Sequence, residues 1–131
     1  MSSFSDYTEN LVLNWLFTTE TATRPTAWYV ALFTSAPSDT GGGTEVSGGA
    51  YARKVTGTIT VSGTATTATN AAAIEFAAAS GADWGTIGWA AIFDASTGGN
   101  MLAWAPLTTS RTINDGDVFR IPASSLTVTL T

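Results

Sequence analysis

An antiparallel β-sandwich or jelly-roll-like barrel with one short N-terminal helix is the fold this sequence predicts. Three observations carry that reading. Apolar runs of strand length recur along the chain and none is long enough for a buried helix, with Trp28–Phe33 as the clearest case. Between them, threonine and valine alternate at period two and are separated by Gly, Asn, Asp and Pro, the pattern of short strands half exposed to water. Helical spacing of apolar residues occurs in one place, near the N-terminus.

That helix spans Asp6 to Thr18. Tyr7, Leu11, Trp15 and Leu16 fall at helical intervals, and Asp6 followed by Glu9 three residues later resembles a capping box with Asp6 at the N-cap. Arg24-Pro25 and the threonines before it disfavour helix, so it stops near Thr18. Residues 1–24 form an N-terminal helix or arm, and residues 25–131 form one β-sandwich domain. Ala27 to Thr34 reads as a central strand covered on both faces. Residues 35–49, with Pro37, Gly41-Gly42-Gly43 and Gly48-Gly49, read as a long exposed loop.

Tyr51 to Val55, Gly57 to Val61 and Thr64 to Asn70 read as half-exposed strands. Ala71-Ala72-Ala73 and Ala77-Ala78-Ala79 invite a helix by propensity, but Ile74-Glu75-Phe76 alternates between them and predicts a strand. Trp84 to Asp94 and Asn100 to Leu107 are apolar runs joined by a glycine-bearing hairpin turn at residues 95–99. Ile113 to Asp117 is a turn, Val118 to Ile121 alternates, and Leu126, Val128 and Leu130 form the closing strand. The expected total is eight or nine short strands, which suits a sandwich or barrel of this size.

The chemistry available is narrow. The 131 residues hold no histidine and no cysteine, 11% are charged and 44% are hydrophobic. That composition removes thiol, imidazole and most zinc mechanisms. A net charge of −5, with Arg24, Arg53, Lys54, Arg111 and Arg120 scattered, argues against nucleic acid and against acidic membranes. No apolar run reaches membrane-spanning length and no signal-peptide pattern opens the chain, so a soluble protein made in the cytosol is expected.

Candidate sites are weighed against ordinary structural roles. Asp115 and Asp117 flank Gly116 and suit glycoside hydrolysis or calcium binding only if further oxygens converge; a turn is the favoured reading. The glycines at 41–49 lack the Lys-Ser/Thr of a phosphate loop, and Glu45 would repel phosphate. Lys54, the single lysine, lies among strand residues, which disfavours a Ser-Lys enzyme. Trp84, Trp89 and Trp104 suit sugar stacking, but their apolar neighbours favour core positions. No catalytic, cofactor or metal site is expected.

The run Gly41 to Arg53, preceded by Trp28 to Thr34 and followed by Trp84 to Asp94, Leu102-Ala103-Trp104 and Asp115-Gly116-Asp117, resembles a family of small tailed-bacteriophage virion proteins labelled tail-fibre-like. The resemblance implies a non-enzymatic structural protein on the particle exterior, used as a symmetric oligomer, with a homotrimer expected. The main expectation is a capsid cement or decoration protein that binds the major capsid protein or other virion proteins and stabilises the assembled head. The alternative is a short tail-fibre or tail-tip adhesin that touches host glycans. The partner interface is expected at Leu11, Trp15, Leu16, Thr44, Glu45, Val46, Tyr51 and Arg53.

Overall fold

A computed structural model describes residues 3–61, 63–64 and 66–130. Its elements in chain order are β1 (Ser3–Phe4), α1 (Asp6–Phe17), β2 (Tyr29–Ser35), β3 (Thr44–Glu45), β4 (Lys54–Val55), β5 (Ile59–Val61), β6 (Thr67–Asn70), β7 (Ile74–Glu75), β8 (Gly85–Phe93), β9 (Met101–Ile113), β10 (Arg120–Ile121) and β11 (Thr127–Thr129). Three antiparallel sheets result. The large one runs β1-β9-β8-β2-β3, with β4 also on β2; a second holds β11-β6-β5; β10 and β7 form a ribbon. None of them closes, so the sandwich half of the expectation describes the fold and the barrel half does not.

The predicted central strand is central, because Val30, Ala31, Leu32 and Phe33 are all buried and β2 pairs along its length with β8 in a register that sets Ala31 opposite Ala91. Alternation along β2 divides the interior in two. Val30 and Leu32 join Ile74, Phe76, Trp84, Ile87, Ile113, Phe119 and Ile121 in the main core between the large sheet and the β7–β10 ribbon. Ala31 and Phe33 turn to the other face, where Phe33 stacks on Phe93 at 6.4 Å between ring centroids and Met101, Trp89 and Trp104 pack beside them.

Residues 35–49 are mostly exposed, as expected of a loop, but they carry more backbone order than the sequence suggests. Ser38 and Gly41 bridge to each other, β3 pairs with β2, and Pro37 and Val46 are buried. Trp104 donates its indole N–H to Asp39 at 2.9 Å, fastening the loop over the sheet. Gly49 is there for close approach rather than flexibility. A Cβ at that position, held at φ +56°, would lie 2.6 Å from the Ala82 carbonyl and 2.9 Å from the Trp84 ring.

Other expectations change in detail. The helix N-cap is Ser5, not Asp6: the Ser5 hydroxyl accepts from the Thr8 N–H, and Asp6 sits in the first turn, where its charge still suits the helix dipole. At the far end Thr18 caps Asn14 through both its N–H and its hydroxyl, ending the helix where the sequence placed the stop. Of Tyr51 to Val55 only Lys54–Val55 is strand. The strand expected from Thr64 begins at Thr67, and Ala65 lies outside the described residues. β9 continues to Ile113, six residues beyond the expected Leu107, on ladder bonds to Gly85, Thr86 and Ile87. Eleven strands are found among the described residues, more than expected, because several two-residue strands are too short to show a period.

Asn70 joins the layers. It is fully buried, donates its amide to the Ala72 and Pro122 carbonyls at 2.8 and 3.0 Å, and accepts from the Leu126 N–H at 2.9 Å. The buried amide is thereby satisfied, and the chain entering β11 is pinned to β6.

Candidate functional site

The eight residues expected at an interface fall into two groups. Glu45, Val46, Tyr51 and Arg53 face inward. Arg53 forms a bidentate pair with Glu45, Nε to Oε1 at 2.8 Å and Nη2 to Oε2 at 2.9 Å, while Nη1 donates to the carbonyls of Ala95 and Gly98. Its guanidinium lies 3.7 Å over the Phe93 ring, and its side chain is 8% exposed. One residue thus ties β3 to the loop that joins β8 and β9. Tyr51 accepts from the Leu32 N–H and donates to Glu45 Oε1, both at 2.9 Å, and meets Trp84 edge-on. Val46 is buried in the main core. Thr44 remains exposed and bonds Ser35 through its hydroxyl.

Burial pushes the Tyr51 phenol above its ordinary value of 10.0; the Leu32 hydrogen bond works against that, and the nearby Glu45 carboxylate adds to it. The folded chain therefore holds this proton to higher pH than the unfolded chain does. Its contribution to stability is complete below about pH 10 and declines as pH rises further, by at most about 1.4 kcal/mol per pH unit. Urea unfolding should show a midpoint that falls above about pH 10, and Tyr51→Phe should flatten that fall while lowering stability at neutral pH. A midpoint in the parent protein that does not change up to about pH 11 would contradict the assignment.

Leu11, Trp15 and Leu16 form the second group, on α1. No residue of this helix is buried; Leu13, Trp15, Leu16 and Phe17 are 56%, 66%, 56% and 77% exposed. The sequence places an apolar stripe here that Leu11, Leu16 and Phe17 widen, and residues 11–17 are in fact apolar on every side apart from Asn14. An all-round apolar helix belongs in an interior. Only its start is attached: the Ser5 hydroxyl donates to the Met101 carbonyl, and Thr8 donates to the Leu102 carbonyl at 2.8 Å.

Beside the helix the two layers of the sandwich fail to meet. Phe4, Leu11, Trp28, Ile92 and Leu102 face Ile59, Val61, Ala68 and Val128 across an open groove of about 820 Å³, with Arg24 among its lining. Sequence reasoning missed the groove, since it arises between strands far apart in the chain.

The acidic residues take the turn roles expected of them. Asp117 accepts from the Asn114 N–H, Asp115 from the Gly81 N–H, and Asp83 from the Asp115 N–H. Among the described residues no three carboxylates gather as metal ligands, and no helix is long and apolar enough to cross a membrane.

The polar networks of this open β-sandwich lock loops, and its exposed apolar surface sits on a projecting helix and beside a groove. The family model described as podophage GP4 fiber I protein gp80 matches residues 3–129, and the chain belongs to that family of phage fibre proteins. No curated protein matches it.

Proposed function

We propose that the chain is a non-enzymatic component of a phage tail fibre, held on the virion exterior by other virion proteins and placed to meet the host surface. The observation that carries this is the family match across residues 3–129, whose description is of a fibre protein. It favours the tail over the head, so the fibre reading replaces capsid cement as the leading one. The geometry supports a mechanical role. Arg53 clamps the 95–98 turn, Asn70 pins β11 to β6, and Asp39 holds the 35–49 loop, all of which stiffen loops that would otherwise move.

Immunogold labelling of purified virions tests the placement. Gold confined to the tail is the expected outcome. Gold spread over the head in many copies would overturn the fibre reading and restore cement.

A further inference from the structure

We propose that a second copy of this chain fills the groove with the apolar end of its own α1. The contact goes beyond the placement on the particle and does not depend on it. Protein interiors are close-packed, yet Ile92 and Ala103 of the large sheet face Ile59, Val61 and Val128 of the small sheet across open space. The same chain carries a helix end, residues 11–17, whose exposed side chains have no cover within the chain.

The helix cannot cover its own groove with that end. Its first turns are held to the Met101 and Leu102 carbonyls, with Thr8 and Leu11 already in the groove wall, so the rigid remainder projects past it. Insertion into a neighbour is the arrangement that uses both surfaces.

Area and charge support this occupant. The exposed parts of Leu13, Trp15, Leu16 and Phe17 amount to about 500 Å² at the areas such side chains present. That alone matches the largest apolar patch of an ordinary monomer. Two copies that exchange helices each bury a helix end and a groove in one interface, which approaches the roughly 800 Å² per partner of a stable complex.

The last turn of α1 carries no basic residue, so the inserted end presents the negative pole of the helix uncompensated. Arg24 lines the groove and makes neither of the ion pairs found among the described residues. The helix end and the arginine are thus complementary, in a chain whose net charge of −5 otherwise keeps copies apart. Exchanged between two copies, the contact is reciprocal and closes a dimer.

Sedimentation equilibrium on the full chain tests this with Phe17→Glu and Val61→Glu, at positions 77% and 66% exposed, where the fold tolerates a charge. The parent chain should associate. Each variant should keep its circular dichroism and weaken association by about 100-fold. Mixing the two should restore a one-to-one dimer, because the Val61→Glu chain keeps its helix and the Phe17→Glu chain keeps its groove. Arg24→Glu, which disturbs no core packing, should weaken association by about tenfold, more at low salt. A parent chain that stays monomeric up to about 100 µM, or variants that associate normally, would overturn the proposal. A mixture that stays monomeric would overturn it too, since helix pairing with helix gives no rescue.

Discussion

Replacing Trp84 with alanine is expected to destabilise the protein by about 4 kcal/mol, near the upper end for loss of a buried aromatic. Trp84 is 5% exposed and lies where three parts of the chain converge. Its ring meets Tyr51 at 5.3 Å and Phe76 at 6.2 Å, both edge-on, and its indole N–H donates to the Gly49 carbonyl at 2.8 Å. Alanine would leave a cavity between the large sheet and the β7–β10 ribbon. It would also leave the Gly49 carbonyl with only the Ser80 N–H as partner. Domains of this size are stable by about 5–15 kcal/mol, so the substitution removes roughly a quarter or more of the total. Chemical denaturation should show a lower midpoint with the slope retained. Trp84→Phe should keep most of the ring contacts and lose about half as much. An alanine variant within about 1 kcal/mol of the parent would mean that the core closes without this residue.

Trp84 also marks where the sequence was legible and where it was not. Its burial could be read from the apolar run that follows it, and the same reasoning gave α1, the two-sided burial of β2 and the strand rather than helix at Ile74–Glu75. Each of those signals is local, a period or a run within a dozen residues. What the tryptophan touches is not local. Gly49 lies 35 residues away, and its composition signals only freedom, whereas the fold uses the missing Cβ to let backbone approach a ring. The far half of β9 was missed for a related reason. Thr108 to Thr112 bear no alternating apolar residues because both their faces are exposed, and beyond a register shift the strand resumes its pairing with β8 at Arg111 and Thr112. The interface residues divide the same way. Leu11, Trp15 and Leu16 stand on a helix whose apolar excess is written in consecutive residues. Glu45 in the loop, and Tyr51 and Arg53 on a half-exposed strand, read as groups free to meet a partner until the fold brought Ala95, Gly98 and Phe93 beside them.

Arg53 is the test of that last point, because a surface arginine free to meet a partner and one locked inside the fold predict opposite results. Arg53→Ala is expected to cost about 3 kcal/mol, the lower end for breaking a largely buried ion pair, since Glu45 keeps 27% of its side chain in water. The loss has several parts. Glu45 loses both guanidinium bonds, the Ala95 and Gly98 carbonyls lose a donor, and Phe93 loses the cation over its face. Arg53→Lys separates charge from shape. Lysine keeps the charge but cannot present a planar fork to Glu45 and two carbonyls together, so about 2 kcal/mol should still be lost. For a domain of this length the alanine variant should melt about 10 °C lower, and faster amide exchange should be concentrated in residues 94–100, the turn the guanidinium holds. A surface arginine would give less than about 0.5 kcal/mol and no local change in exchange. That outcome would return Arg53 to the surface, where the sequence alone had placed it.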